Sequence, residues 1–147
     1  MTQVHRSIGA MVLALLAVTM FAPSYAQQNE EAAIRAQVER LVDRLNARDS
    51  QGVAMLYEAD ADRRDDGGKW ARGRGEVLSM YDSLIRELPS GVTARFDYTV
   101  RLVRTDLALV DGDWISSRGT KGPFTLLASK KSGVWLFAAG RQGAAFP

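Results

Sequence analysis

The chain is 147 residues long, with 19 basic and 17 acidic side chains, one histidine and no cysteine. The net charge of +2 comes with no lysine–arginine cluster standing clear of acids, which argues against nucleic acid as a partner. The lack of cysteine excludes thiol nucleophiles, disulfides and thiolate metal sites.

His5 and Arg6 form a short basic start, followed by an apolar run from Ile8 to Phe21. Ala22-Pro-Ser-Tyr-Ala26 then sets small residues, Ser24 and Ala26, at the −3 and −1 positions. This is the layout of a secretory signal peptide, residues 1–26, cleaved before Gln27. The apolar run is short for a bilayer span, although an uncleaved anchor is the alternative. The expectation is a periplasmic or secreted protein with no membrane association after cleavage. Removing 26 of 147 residues leaves 121, and the only histidine leaves with them. Ser-His-Asp triads and His-built zinc sites are thereby excluded from the remaining chain. A single domain over residues 27–147 is long enough to bury about two-thirds of its unfolded surface.

From Glu30 a helix is signalled by Ile34, Val38, Leu41, Val42 and Leu45, which share one face. Asn29 can cap it, and Arg44 and Arg48 suit its C-terminal end. Asp49 or Ser50 caps a shorter second helix with Val53, Leu56 and Tyr57 inward. Residues 60–68 read as a polar turn ending in Gly67-Gly68, and residues 69–72 as a short strand. A third helix runs over 73–88, stopped by Pro89.

The period then changes from helical to alternating. Ala94, Phe96, Tyr98, Val100 and Leu102 alternate with polar residues, the mark of a half-buried strand over 93–102. Further strands are expected over 107–117, 124–130 and 134–141, the last two joined by a turn at Lys131-Ser-Gly133. Asp111-Gly-Asp113 admits a tight hairpin instead of a continuous strand. Short connections favour an antiparallel meander. The fold class is therefore α+β: three N-terminal helices packed on a curled antiparallel sheet of four main strands, with short N-terminal strand(s).

The segment Leu45-Asn-Ala-Arg-Asp-Ser-Gln-Gly-Val-Ala-Met-Leu-Tyr57, continuing through Asp60 to Gly68 and then Gly73-Arg-Gly-Glu-Val77, resembles nuclear transport factor 2-like proteins. These include the ketosteroid isomerases and the SnoaL-like polyketide cyclases. The four-strand meander and Gly133-Val-Trp135 are also similar to that family. The resemblance implies a cone-shaped roll, in which the curled sheet wraps the helices around an inner pocket, and a homodimer.

At Asp65 the resemblance implies a general base, since the isomerases carry one at that point of the motif. A carboxylate at the mouth of an apolar cone has its pKa raised toward such a task. The other reading of Asp65 is a solvated charged turn, among Asp62, Arg63, Arg64 and Asp66. The isomerase oxyanion donors have no counterpart. Leu41 stands where the family has a tyrosine, and residues 124–130 contain no acid. The Asp60–Asp66 acids do not fit a calcium loop, because the twelfth position is Ala71. No metal and no cofactor is expected.

Tyr57, Trp70, Phe96, Tyr98 and Trp114 are the aromatics expected to line the pocket, with Gln142 and Arg141 at its rim. Each is also readable as ordinary core packing. Gly112 would leave space beside Trp114. Arg72 and Arg74 flank Gly73 at a helix start, readable as an anion site or as solvated charges. The functional expectation is an exported protein that binds an apolar small molecule, with no assigned reaction. The alternatives are an isomerase, cyclase or hydrolase using Asp65 as base, and a dimerisation or partner-binding module.

Overall fold

The structure is a computed structural model, and it describes residues 24–146. The expected signal segment therefore lies outside the described residues, apart from its last three. Helix α1 spans Tyr25–Asn46 and begins earlier than the expected Glu30. Ala26 to Ala33 contains no helix breaker, and the Ser24 hydroxyl accepts from the Gln27 amide at 3.3 Å, so the cap sits five residues before Asn29. Helix α2 is the short Ser50–Ala54, capped by the Asp49 carboxylate on the Gly52 amide at 2.8 Å.

Strand β1, Tyr57–Arg64, occupies ground where a helix end and a polar turn are expected. Only the tip, Asp65 to Lys69, is a turn, closed by the Asp65 amide on the Lys69 carbonyl. Strand β2 is Trp70–Arg72 and helix α3 is Gly73–Glu87. Strands β3 (Ala94–Arg104), β4 (Leu107–Ser116), β5 (Lys121–Lys131) and β6 (Val134–Gln142) form the meander. Strand β4 is continuous through Gly112, which pairs with Tyr98 on one side and Phe124 on the other, so there is no hairpin at that point.

The sheet order is β2-β1-β6-β5-β4-β3, so the sheet is open, with β2 and β3 at its edges. All pairings are antiparallel except β1 with β6, which is parallel and sets Arg63 opposite Gly140. Bulges at Tyr57/Asp62, Leu102/Arg104 and Leu127/Ala128 bend the strands and help to curl the sheet.

The concave face holds the core. Ile34, Val38 and Leu41 of α1 and Val77, Met80 and Tyr81 of α3 meet Val110, Leu126, Ala128 and Phe137 of the sheet. Each large apolar side chain buried this way contributes about 1.5–3 kcal/mol. Polar contacts then fix the helices in place. Glu30 of α1 accepts from Lys130 at 2.6 Å and from the Trp135 indole at 2.7 Å. Arg48 does not close α1. Its backbone is left-handed (φ 58°), and its guanidinium donates to the carbonyls of Ile85, Leu88 and Pro89 at the end of α3. These contacts satisfy carbonyls that a helix end leaves without partners.

Candidate functional site

A cavity of about 170 Å3 opens between α1, α3 and the curled sheet. Apolar cavities of ~150 Å3 accept a benzene-sized molecule. Leu41 and Leu45 come from α1, Tyr81 and Leu84 from α3, and Phe96, Trp114, Phe124 and Leu126 from β3, β4 and β5. The four strand residues reach the cavity because strand alternation puts them on the concave face. Phe96 pairs with Trp114, and the centres of the Phe96 and Phe124 rings lie 4.6 Å apart with their planes tilted by 41°.

The β1–β6 side of the cavity carries its charged groups. Arg63, at the end of β1, is only 5% exposed. Its guanidinium donates to Gln142 Oε1 at 2.6 Å, lies 4.6 Å from the centre of the Tyr81 ring and faces the Met80 thioether. Gly140, its partner on β6, lies close beside it: a methyl group there would stand 3.5 Å from the Arg63 stem and 3.3 Å from Leu126. The hydroxyls of Tyr57 and Tyr81 are 2.8 Å apart. Burial opposes the charge on Arg63, but the facing tyrosines more than offset this, and its pKa lies above the usual arginine value. Burial, and then the proximity of Tyr81, hold the Tyr57 phenol well above its ordinary 10. The Tyr57 hydroxyl thus gives up its proton less readily than an ordinary phenol.

Of the residues expected at the site, Tyr57, Phe96, Trp114, Gln142 and Arg141 line the cavity. Trp70 and Tyr98 do not. Trp70 is 44% exposed on the outer side of β2, with the guanidinium of Arg141 4.6 Å from its ring centre and those of Arg64 and Arg72 beyond. Tyr98 turns its hydroxyl to Glu39 of α1 at 2.9 Å, and Arg35 lies over its ring. Asp65 is also outside the cavity. Its carboxylate folds back onto the Lys69 amide at 2.8 Å and closes the β1–β2 turn. The carboxylate on the cavity wall is Asp66, which is exposed. Arg74 donates to the Tyr57 carbonyl, and the Arg72 guanidinium lies by the Trp70 ring.

The space for the Trp114 indole comes from Gly122, not Gly112. A methyl group at Gly122 would lie 2.8 Å from Trp114 Nε1, whereas one at Gly112 would strike the backbone of β3. The indole N–H is buried and has no acceptor among the described residues. Sequence reasoning missed Arg63 and Tyr81. The signal for Arg63 was its parity with Ala61, which places both on one face of a strand. Among the described residues no group of His, Cys, Asp or Glu is arranged to hold a metal ion.

No family model matches the sequence, and no curated protein does either. Solved structures do match. A nuclear transport factor 2-like protein of unknown function from Pseudomonas putida is similar with a TM-score of 0.73 at 18% identity, over 82% of this chain and 89% of that one. A ketosteroid isomerase-like protein from Erwinia carotovora gives 0.69 at 19% identity, over 80% and 98%. A type 2 hexachlorocyclohexane dehydrochlorinase, LinA, gives 0.70 at 15% identity, over 83% and 90%. These neighbours differ in chemistry, so the likeness carries the architecture and leaves function to the site itself. With its helices held in the concave face of an open, curled sheet, the chain has the nuclear transport factor 2-like fold.

Proposed function

We propose that this chain is an exported protein that binds a small, largely apolar molecule inside the cone. The observation that carries the reading is the cavity itself. Its walls are largely leucine, phenylalanine and tryptophan, Arg63, Arg141 and Gln142 line its β1–β6 side, and Asp65 is not among its lining residues. Ligand pockets combine apolar walls with a few convergent polar groups in this way. The enzyme alternative draws no support from the site. A base needs to reach the substrate, and Asp65 is committed to a turn.

A thermal-shift screen of lipids, steroids and aromatic metabolites tests the reading. A ligand at a hundredfold excess over its Kd stabilises by about 2.7 kcal/mol, which in a domain of this size raises Tm by on the order of 10 °C. A library that leaves Tm unmoved throughout would defeat it. Export rests on the sequence of residues 1–26, and its check is the N-terminal sequence of protein recovered outside the cytoplasm, expected to begin at Gln27.

Homodimerisation through the outer sheet face accompanies this reading. Leu109 pairs with Leu127 on the face opposite the buried Val110 and Leu126, and both are partly exposed. Sedimentation at micromolar concentration is expected to give twice the chain mass.

A further inference from the structure

The unfinished hydrogen bonding in the cavity is one-sided. Arg63 is buried, and no ion pair among the described residues includes it. Arg141, nearby on the same wall, provides the contrast, since its guanidinium is matched by Asp62 at 2.7 Å. The partners of Arg63 are all neutral: the Gln142 amide oxygen, the Met80 thioether, the Tyr81 ring face and the hydroxyls of Tyr57 and Tyr81. A guanidinium carries five N–H donors, accepts nothing and does not deprotonate. Buried charges are ordinarily paired, because an uncompensated one is costly. On β4, which also lines the cavity, the Trp114 indole N–H is a second buried donor without an acceptor among the described residues. The cavity therefore offers a buried positive charge held by neutral groups alone, with the one lining carboxylate, Asp66, exposed to solvent.

The geometry points to an amphipathic monocarboxylate as the ligand, its carboxylate paired with Arg63 and its apolar body lying along Leu41, Leu84, Phe96 and Phe124. This rests on the reading of the cone as a binding cavity and adds the charge of what it binds. A single negative charge neutralises the single unmatched guanidinium, and the planar fork of arginine matches the two oxygens of a carboxylate. A dianion such as a phosphate monoester would leave excess charge against leucine and phenylalanine. Gln142, already oriented by Arg63, presents its amide group beside the same position.

The test is calorimetric titration of the protein at pH 7 with matched pairs of acids and primary alcohols: octanoate with octanol, and 4-phenylbutanoate with 4-phenylbutanol. At least one acid is expected to bind tenfold or more tightly than its alcohol. Arg63→Gln should erase that preference, so that acid and alcohol bind within about twofold of each other, and Arg63→Lys should retain part of it. Alcohols that bind as tightly as the acids would overturn the carboxylate while leaving the apolar cavity standing. If neither member of any pair binds, both readings fall. A preference that survives in Arg63→Gln places the carboxylate elsewhere and also overturns the proposal. Should Arg63→Gln not fold, as judged by near-UV circular dichroism, the wild-type comparison and Arg63→Lys decide.

Discussion

The hydroxyls of Tyr57 and Tyr81 meet at 2.8 Å, joining strand β1 to helix α3 at the cavity wall. Both rings are buried, and Tyr57 also packs against Phe137 at 5.5 Å. The pair thus does two jobs. It ties the first strand to the third helix, and it presents oxygen atoms to the one buried cation of the site.

Removing one hydroxyl leaves the other buried without its partner. Tyr57→Phe is expected to lower stability by about 1–2 kcal/mol, and Tyr81→Phe by a similar amount. The double variant should lose less than the two single losses combined, by ~0.5–1 kcal/mol, because one bond cannot be lost twice. Urea unfolding of the three variants measures this, and strictly additive losses would show that the hydroxyls do not interact.

Asp65→Asn separates the turn from the base. Asparagine keeps an oxygen for the Lys69 amide, so stability should fall by under about 0.5 kcal/mol. Ligand affinity should stay within twofold of wild type. A tenfold loss of affinity, or the loss of a measurable turnover, would bring Asp65 back to the site and overturn its placement in the turn.

The meander was legible because β3 alternates strictly from Ala94 to Leu102, and its burial follows that alternation. Strand β1 was not legible. Glu58-Ala-Asp-Ala-Asp-Arg-Arg64 contains no β-branched and no aromatic residue. What makes it a strand is parallel pairing with β6, where Asp62 lies opposite Ala139, far along the chain. Local composition carries no trace of such a partner. The same gap hid the site. In a turn Arg63 is one more solvated charge, whereas in a strand it shares the inward face with Ala61 and becomes the buried cation of the cavity. Phe96, Trp114 and Gln142 were found because their strands were found. Tyr98 was misplaced because Glu39 of α1 draws its hydroxyl away, a contact no strand pattern contains.

Arg48 holds three carbonyls at the end of α3, at 2.6 to 3.0 Å. These bonds are charge-assisted, and they join the end of the first helix to the end of the third. Arg48→Ala is expected to cost roughly 1–3 kcal/mol. Arg48→Gly relieves the left-handed backbone and should cost less than alanine. Equal losses for the two would mean that the backbone conformation contributes nothing, and no loss in either would remove the clamp.

Gly122 is the floor beneath the Trp114 indole, and Gly122→Ala adds a methyl group 2.8 Å from Nε1. The indole must tilt into the cavity or the strand must shift. The expected outcome is a change in tryptophan emission and at least fivefold weaker binding of any cavity ligand, with the fold retained. Unchanged emission and affinity together would show that the indole is free to move without cost and is not part of the binding wall.

Glu30 supplies a pH dependence with a definite sign. Hydrogen bonds from Lys130, first, and then from the Trp135 indole hold its carboxyl below the usual 4.5, outweighing the opposing effect of burial. The folded protein therefore binds this proton less readily than the unfolded chain does. The stabilisation is fully present above the unfolded value and is lost as pH falls through the lower folded value. Glu30→Gln still offers an oxygen to Trp135 but carries no charge, so it should start less stable at pH 7 and lose less between pH 5 and pH 3. Carboxylates elsewhere titrate alike in both proteins and cancel in the difference. The measurement is the urea midpoint against pH for wild type and variant. Curves that converge toward acid pH are expected, and parallel curves would mean that the contact between α1 and the β5–β6 hairpin does not depend on the charge of Glu30.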